Sequence, residues 1–599
     1  MRRSLALLLL ATAVPMTALH AQPAPKAAET RAAAQLKQLF ADSDEATLRR
    51  NPINAIFRGD MRYADQIGDG ITPAYFAAEA KAARDELASL RKIDRKALSE
   101  TDRVAYDVFK WQQQWGVRVN TAPLLPLTAV RPVNHFSSVH AVYPTFASGQ
   151  GVAPFNTLAD YENNLKRHRQ FVTYLDLAIG RMKEGQAAGV VETKLTVRNM
   201  IEQFDTQLKQ PTEDSPYYKP VTKFPAGISV ADQTRLKAEH RAAIEQGIYP
   251  AYKRMRDYLA NSYLASAREG VGLSYMKGGP QLYTALAAQS TTTDMTPDAI
   301  HKLGLSEVAR IKGGMEKVKT EVGFKGTLPQ FFEHLRTDPK FKKPTRQALT
   351  DGYYAIGKTV DVQLPRFFSV TPKAPLEIRP YEEFREKFEA GGSYQQGTPD
   401  GARSGIFYFN AYDLPSRTTP GMTTLYLHEG SPGHHFQISL AQENTALPNF
   451  LRFGGNTAYV EGWALYSETL GYEMGVFKDP IQRFGTLSDE MLRAMRLVVD
   501  TGIHSKGWTR DQAIAYMLSN SDMGRTDATA EVERYIAIPG QALAYKIGAL
   551  TIQRLRKKAE AALGAKFDIR AFHDQVLNTG GLPMAVLEAK IDNWIAAAK

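Results

Sequence analysis

Three histidines and one glutamate fall within eight residues of this chain, in a stretch that could hold a catalytic metal ion. The stretch is HEGSPGHH, residues 428–435. Hydrolytic zinc sites need neutral imidazoles and a carboxylate on the metal, an open position for water, and a free carboxylate that takes a proton from water. A second stretch, EGWALYSE, occupies residues 461–468. Together the two stretches predict a zinc hydrolase.

The spacing of the histidines requires a bend in the backbone. In the common HExxH arrangement, two histidines four residues apart lie on one face of a straight helix. Here the fourth position after His428 is Pro432, and His434 lies six positions on, about 240° around an ideal helix. Proline removes an N–H and crowds the preceding carbonyl, and Gly433 tolerates unusual backbone angles. We therefore expect a two-residue bulge that brings His434 over His428, with His435 as the alternative ligand.

The glutamates of both stretches have expected roles. Glu429 follows the first ligand and is the expected general base that activates the attacking water. Glu461, on a second helix, is the expected third ligand. Glu468 lies seven residues further, on the same face of that helix, and is expected to orient a ligand imidazole; the reverse assignment is the alternative. Zinc is the expected cofactor, although manganese or cobalt also accept such ligands.

Five residues nearer the C-terminus could complete such a site. His504 and Tyr545 are candidate donors to the oxyanion that forms when water attacks a carbonyl group. Arg534 and Lys546 are candidates for holding the terminal carboxylate of a peptide, and Tyr535 is a further substrate-binding candidate. The alternative reading is structural: a core histidine with satisfied hydrogen bonds, packed tyrosines and a solvated basic face.

Most of the chain has the periodicity of amphipathic helices. Signals for helix starts occur at Thr72-Pro73, at Thr296-Pro297, and at Thr157 with Asp160 three residues later. Apolar residues recur at intervals of three and four over residues 31–50, 73–116, 157–185, 188–210, 228–267 and 296–322.

Strand character is concentrated in one aromatic-rich segment, residues 404–412, just upstream of the histidine stretch. We expect a small β-sheet beside the metal-binding helix. The edge of such a strand could bind an extended peptide through its unpaired backbone groups. An ordinary sheet strand is the alternative interpretation.

The N-terminus has the pattern of a secretory signal. Met1-Arg2-Arg3 is followed by a short apolar run over residues 4–11, which is too short to span a bilayer comfortably. We expect cleavage near residue 21, a periplasmic or secreted protein, and no stable membrane anchor after cleavage. The mature chain is expected to have an N-terminal helical part, residues 22–270, and a catalytic part, residues 271–599, that share one cleft.

Composition excludes several other classes of protein. The chain has no cysteine, which excludes disulfides, thiolate zinc ligands, cysteine nucleophiles and a lipid carried on cysteine. The net charge is +11, but basic residues are interspersed with acidic ones, so we expect no binding to nucleic acid. A monomer or a weak dimer is expected.

These motifs resemble those of a bacterial family called domain of unknown function 885. The resemblance rests on HExxPGHHxQ at residues 428–437, on EGWAxYxE at residues 461–468, and on residues 496–508 and 533–546. It extends roughly over residues 35–595. The family is similar to the all-helical zinc peptidases in which a glutamate is the third ligand. That similarity implies a mainly α, elongated molecule with a deep cleft.

We therefore predict an exported zinc metallopeptidase that hydrolyses short peptides. In this hypothesis Glu429 activates water, and His504 or a tyrosine stabilises the oxyanion. Two alternatives stay open: a zinc-dependent amidase or esterase with a non-peptide substrate, and a non-catalytic periplasmic binding protein with a vestigial site. The sequence does not distinguish endopeptidase from exopeptidase activity.

Overall fold

The structure is a computed structural model that describes residues 30–381, 386 and 389–599. The predicted signal peptide, residues 1–21, lies outside the described residues. Within them, α-helices account for most of the chain and one small β-sheet is present. The predicted mainly α fold is therefore confirmed. None of the helices in these ranges is both long enough and apolar enough to cross a lipid bilayer.

The N-terminal part consists of short and long helices joined by turns. Two π-helical turns, Ala243–Ile248 and Leu259–Tyr263, join the helices Val230–Ala242, Tyr249–Tyr258 and Leu264–Ser266 into one continuous helical run. The helices are α1 (Arg31–Arg50), α2 (Pro52–Phe57), α3 (Pro73–Leu90), α4 (Glu100–Val119), α5 (Leu125–Thr128), α6 (Val139–Ala147), α7 (Leu158–Ala188), α8 (Lys194–Leu208), α9 (Val230–Ala242), α10 (Tyr249–Tyr258) and α11 (Leu264–Ser266).

The predicted helix starts are confirmed by their caps. Thr72 and Thr296 each accept a hydrogen bond from a backbone N–H in the first turn of the helix that follows, α3 for Thr72 and α13 (Pro297–Glu321) for Thr296. Thr157 and Asp160 form a reciprocal capping box at the start of α7.

One predicted helical range is interrupted. The periodicity predicted a helix over residues 73–116, but α3 ends at Leu90 and α4 begins at Glu100. The side chain of Ser99 accepts a hydrogen bond from the Asp102 N–H. Backbone N–H groups without a helical partner occur in the first turn of a helix, and Ser99 binds one of them. Ser99 therefore caps the start of a new helix, α4, instead of lying inside a continued α3.

The C-terminal part contains the remaining helices, and these position the candidate site. They are α12 (Gly279–Thr291), α13 (Pro297–Glu321), α14 (Leu328–Thr337), α15 (Arg346–Asp361), α16 (Leu364–Phe367), α17 (Met422–Glu429), α18 (His434–Glu443), α19 (Asn449–Arg452), α20 (Thr457–Met474), α21 (Pro480–Lys506), α22 (Arg510–Asn520), α23 (Arg525–Ala537), α24 (Ala544–Leu563), α25 (Ile569–Leu577) and α26 (Met584–Ala598).

The sheet lies beside α17 and α18, as predicted. Its strands are β1 (Leu376–Pro380), β2 (Gly392–Gln395) and β3 (Gly405–Phe409), in the order β1-β3-β2. The aromatic-rich segment forms β3, which pairs in parallel with β1 and antiparallel with β2. The expectation that this segment offers a free edge is therefore wrong, because β3 is bonded on both sides. Among the described residues β2 pairs with β3 alone, so its other side is a free edge in that part of the chain.

The hydrophobic core joins the two predicted parts of the chain. One large cluster of buried side chains is confined to residues 56–267. Another packs residues 32–109 against residues 349–595. Helices from the N-terminus therefore belong to the same core as the histidine-bearing helices. The boundary at residue 270 stays a prediction.

Candidate metal centre

The helix that carries His428 stops before it reaches His434. Helix α17 ends at Glu429 and α18 begins at His434, so the predicted two-residue bulge is replaced by a complete break. The chain at Gly433 approaches α17 so closely that a Cβ there would lie 1.9 Å from the carbonyl oxygen of His428. Only glycine fits this approach. The break lets the two histidines face each other although six positions separate them.

Helix α20 holds the break in place. The indole N–H of Trp463 donates to the carbonyl oxygen of Pro432 at 2.8 Å. The hydroxyl of Ser467 donates to the carbonyl oxygen of Leu427, also at 2.8 Å. Both donors are fully buried. Burying a carbonyl group that has lost its hydrogen bond within the helix costs free energy. The side chains of Trp463 and Ser467 supply the missing hydrogen bonds.

His428, His434 and Glu461 converge on one point. Their candidate ligand atoms all lie within 4.8 Å of one another. Oε2 of Glu461 is 3.3 Å from Nε2 of His434 and 3.7 Å from Nε2 of His428. The two imidazole rings are nearly perpendicular, with centroids 4.8 Å apart. Three helices therefore supply one ligand group each: α17, α18 and α20.

These separations fit a small divalent cation such as zinc. Zinc bonds to imidazole nitrogen and carboxylate oxygen are about 2.0–2.2 Å long, so two ligands in a tetrahedral arrangement lie about 3.3 Å apart. The two measured distances to Glu461 are close to that value. The Nδ1 atom of His434 is buried and has no hydrogen-bond partner among the described residues. The residues present therefore fit the expected cofactor.

Glu468 orients the first imidazole, as expected from the sequence. Its Oε1 atom accepts a hydrogen bond from Nδ1 of His428 at 2.7 Å. This bond fixes the tautomer and leaves Nε2 free to face Glu461. The guanidinium of Arg493 lies 3.9 Å from the same carboxylate oxygen. The structure thus brings Glu461, and not Glu468, to the point where the histidines meet.

The alternative ligand, His435, faces away from the cluster. Its Nδ1 atom accepts a hydrogen bond from the hydroxyl of Tyr394, and its Nε2–H donates to the carbonyl oxygen of Ala374, both at 3.1 Å. Burial lowers the pKa of His435 to about 4. Because both ring nitrogens are bonded, His435 serves to join α18 to the sheet.

Glu429 is a buried carboxylate beside the cluster. Only 6% of the residue is exposed, and its Oε2 atom has no hydrogen-bond partner among the described residues. Burial raises its pKa, although the nearby imidazoles of His428 and His434 act in the opposite direction. A carboxylate with an unused oxygen next to a metal-binding cluster is what general-base catalysis needs.

The cluster is held together electrostatically. Burial by itself would lower the pKa of His428, but its contacts with Glu461 and Glu468 outweigh that effect and raise it to about 10. Burial would raise the pKa of Glu461, yet the two imidazoles lower it well below its usual value. Opposite charges at short range in a site of low polarity produce both effects.

Two adjoining cavities open beside the cluster. A cavity of about 370 Å³ is lined by Glu461, Gln437 and Gln541 among others. A larger cavity of about 620 Å³ is lined by all of β2 after Gly392 and by Tyr408 and Phe57. The two share Gln396, Ile438, Phe453 and Gly454. The larger cavity, which β2 lines, therefore neighbours the smaller one, which Glu461 lines.

His504 lies in a different environment from the one predicted. Its Nδ1 atom accepts a hydrogen bond from the Leu273 N–H at 3.1 Å, and its Nε2–H donates to the carbonyl oxygen of Tyr535 at 3.0 Å. Burial lowers its pKa to about 3. It lines a separate cavity of about 220 Å³ with Tyr283. Because both nitrogens are bonded to backbone groups, His504 has no free N–H to offer an oxyanion, and we leave it out of the proposed mechanism.

The structure brings Tyr545, Arg534 and Tyr535 together in a second cluster, around Glu531. The Tyr535 hydroxyl donates to the Glu531 carboxylate, and the Arg534 guanidinium donates to the Tyr545 hydroxyl at 3.1 Å. Tyr535 is fully buried, and burial raises its pKa well above the usual value. It therefore supports its neighbours from a fully buried position. Arg496 completes this group by donating to Glu531 at 3.0 Å.

Lys546 is neutralised by two carboxylates. Its ammonium group lies 2.6 Å from Glu490 and 2.9 Å from Glu307, and the residue is 1% exposed. Such a cation is fully paired and gains nothing from a further anion. These contacts argue against the predicted contact between Lys546 and a substrate carboxylate.

The roles of Arg493, Arg496 and Gln541 are not among those predicted from the sequence. A signal for the two arginines is present, because residues 491–504 of α21 are otherwise largely apolar and the arginines lie three positions apart on it. Charged residues on a buried helix face are rare unless they are paired. Gln541 carries no comparable signal, since its position depends on the turn between α23 and α24.

Solved structures share this fold. A protein from Colwellia psychrerythraea described as a "putative lipoprotein" is 28% identical, with a TM-score of 0.88 over 94% of this chain and 99% of that chain. A protein from Shewanella oneidensis described as a "putative lipoprotein of unknown function" is 18% identical, with a TM-score of 0.71 over 92% of this chain and 99% of that chain. At that identity the second similarity supports the fold alone. The comparison with curated proteins gives no match.

A comparison with protein families agrees with the resemblance found in the motifs at residues 428–437 and 461–468. The profile of the family described as "Bacterial protein of unknown function (DUF885)" matches residues 52–591. This range begins at α2 and includes all the helices of the candidate metal centre. The relation to zinc peptidases is not part of that match and stays a prediction. The chain therefore belongs to this bacterial family, domain of unknown function 885.

Proposed function

We propose that this protein is a zinc-dependent hydrolase of short peptides, with the metal held by His428, His434 and Glu461. The observation that carries the proposal is the convergence of these three groups from three helices. Structural zinc sites use four protein ligands, whereas catalytic sites use three and leave one position open. The group found among the described residues has three ligands, which favours a catalytic site.

Zinc held there would polarise a substrate carbonyl and lower the pKa of a water molecule. Glu429 lies next to the first ligand with one carboxylate oxygen unused. It would accept a proton from the attacking water and pass it to the leaving amine. Glu468 would keep the His428 ring in place through the bond to Nδ1. Tyr545 remains our candidate donor to the oxyanion, since its hydroxyl is held by Arg534.

Peptides are the favoured substrates because residues of β2 line the larger of the two cavities. This strand pairs with β3 on one side, and Gln396, just past its end, lines both cavities. An extended peptide could pair with the free edge through its backbone, largely independently of its side chains. Tyr394, Tyr408 and Phe453 would contact its side chains.

An exported location is part of the proposal. It is supported by the signal-like N-terminus, residues 1–21, and by the similarity to the Colwellia psychrerythraea protein described as a "putative lipoprotein". The lack of cysteine in this chain argues against a lipid attached to this protein through cysteine. We therefore favour a periplasmic or secreted protein. A monomer or weak dimer stays an expectation.

The proposal can be tested with purified protein and a mixed pool of peptides. We expect about one zinc ion per chain by elemental analysis, and new peptide products by mass spectrometry. A chelator should stop cleavage, and added zinc should restore it. The variant His434→Ala should lose the metal and the activity, whereas His435→Ala should keep the metal. Stoichiometric zinc without any peptide cleavage would favour the amidase, esterase or binding-protein alternatives. No zinc at all would overturn the proposal.

A further inference from the structure

Two guanidinium groups share one carboxylate beside the cavity at Glu461. Arg496 on α21 donates to Glu531 through Nε and Nη2 at 3.0–3.3 Å. Arg534 on α23 places Nη1 3.7 Å from Glu531. Two positive charges therefore face one negative charge. The Arg496 guanidinium also stacks over the ring of Tyr545, 4.3 Å from its centroid, and this aromatic ring adds no negative charge to the group.

Both arginines keep a donor that no described residue uses. Nη1 of Arg496 and Nε of Arg534 are buried and have no hydrogen-bond partner among the described residues. The side chain of Arg496 is 5% exposed and that of Arg534 is 15% exposed. Leaving a buried charged donor unpaired is unfavourable. The surplus charge and the unused donors both point to an anionic ligand, and a carboxylate matches the planar fork of a guanidinium.

This cluster adjoins the cavity that leads to the metal centre. Gln541 accepts a hydrogen bond from Arg534 at 2.9 Å, and it lines the same 370 Å³ cavity as Glu461. Tyr545 packs against Leu465, which lies four residues after Glu461 on α20. A molecule in that cavity can therefore contact both Glu461 and Gln541, the hydrogen-bond partner of Arg534.

We propose that Arg534 and Arg496, with Gln541, bind the free C-terminal carboxylate of a peptide substrate. This inference rests on the proposed function and narrows it. Because Gln541 lines the same 370 Å³ cavity as Glu461, a carboxylate anchored by Gln541 and the arginines would place the last residues of the peptide in the cavity at the metal centre. The protein would then act as an exopeptidase that releases short fragments from the C-terminus.

Binding measurements test the inference without requiring turnover. Zinc-loaded protein is titrated by calorimetry with three probes: N-acetyl-trialanine as the free acid, the same peptide as its C-terminal amide, and N-acetyl-Ala-Ala-Glu-amide, which carries its carboxylate on a side chain. Charge-assisted hydrogen bonds favour the acid, and we expect it to bind about 10–100 times more tightly than the amide. The side-chain carboxylate should not replace the terminal one.

Variants then assign the effect to the arginines. Arg534→Gln should weaken binding of the acid to the level of the amide and leave the amide unchanged. Arg534→Lys, which keeps the charge, should restore part of the difference. Arg510→Gln is the matched control, because Arg510 pairs with Glu533 next to Arg534 but lies outside the cluster. Melting curves identify any variant that fails to fold.

Several outcomes would overturn the inference. Equal binding of acid and amide, no binding of the acid, equally tight binding of the glutamyl amide, or a preference that persists in Arg534→Gln would each do so. These outcomes are distinct from failure of the proposed function. If zinc-loaded protein discriminates acid from amide but cleaves neither the acid nor any peptide of the mixed pool, the carboxylate site stands and the hydrolase proposal falls.

Discussion

Glu468 accepts a 2.7 Å hydrogen bond from Nδ1 of His428, and this contact turns the opposite nitrogen of the ring toward Glu461. The carboxylate is 1% exposed. A buried bond of this kind fixes both the tautomer and the direction of a metal ligand before the metal arrives. Glu468 thus acts as a positioning residue for the candidate centre.

Replacing Glu468 with glutamine should weaken metal binding without abolishing it. The amide keeps an acceptor for His428 but loses the charge, and loss of such a supporting group typically costs 10–100-fold in metal affinity. Competition with a chromogenic chelator measures the effect. The control is Glu473→Gln, which alters an exposed carboxylate on the same helix. Equal zinc affinity in both variants would show that Glu468 does not orient the ligand.

Replacing Glu429 with glutamine should remove turnover and leave the metal in place. Glutamine has the same shape but no basic oxygen, and loss of a general base lowers rates by about 10²–10⁴-fold. The measurement pairs zinc content with the rate of peptide cleavage on the same sample. Retained zinc with unchanged cleavage would exclude Glu429 as the base.

Replacing Ser467 with alanine should destabilise the fold by about 1–3 kcal/mol, because the carbonyl of Leu427 loses its donor in a buried place. Ser519 provides a matched control. The Ser467 hydroxyl also lies 2.6 Å from the carbonyl oxygen of Ala464, three residues earlier. The Ser519 hydroxyl bonds the carbonyl three residues earlier in the same way, but on the exposed face of α22, so Ser519→Ala should change stability by less than about 0.5 kcal/mol. Urea unfolding of both variants gives the comparison, and equal effects would mean that the break between α17 and α18 does not depend on Ser467.

Asp500 should make stability depend on pH. Burial raises its pKa to about 7, although hydrogen bonds from Tyr283 and the Gly540 N–H act in the opposite direction. The unfolded chain releases this proton near its ordinary pKa of about 3.9. The folded protein therefore binds more protons between these values, and the stabilising effect is lost as pH rises through 7. His504, which lies near Tyr283, has a pKa of about 3 and stays neutral in this window.

The variant Asp500→Asn isolates this effect. Between pH 5 and pH 8, the wild type should lose roughly 2–3 kcal/mol of unfolding free energy relative to the variant. Chemical unfolding of both proteins at the two pH values measures the difference, and taking the difference cancels the titration of other groups. A constant difference across this range would mean that Asp500 is ionised in the folded protein.

The sequence predicted helices and their caps well because those signals are local. Thr72 and Thr296 bond to N–H groups within their own first turns. The bend at Pro432 was also expected, but not a complete break. The difference arises because the carbonyl groups freed by the break find donors in Trp463 and Ser467, which lie more than 30 positions away in sequence.

The choice between neighbouring candidates depended on tertiary contacts. His434 and His435 are adjacent and chemically identical, and only the position of α20 on one side and the sheet on the other separates their roles. Tyr394 binds the ring of His435, and Glu461 approaches that of His434. The apolar surroundings of Arg496 on α21 mark it in the sequence, but its partner Glu531 lies on another helix, so its role depends on tertiary contacts.

Because of the break between α17 and α18, the histidine stretch should not keep its conformation or bind metal outside this protein. In the folded protein, Trp463 and Ser467 of α20 donate hydrogen bonds to the carbonyl oxygens of Pro432 and Leu427, which have lost their helical partners. The backbone of the histidine stretch needs these donors to keep its conformation. An excised peptide spanning residues 420–445 would lack those donors and also the carboxylates of α20. We therefore expect metal binding only after α20 has packed against α17 and α18. Metal binding during refolding would then measure when these helices assemble.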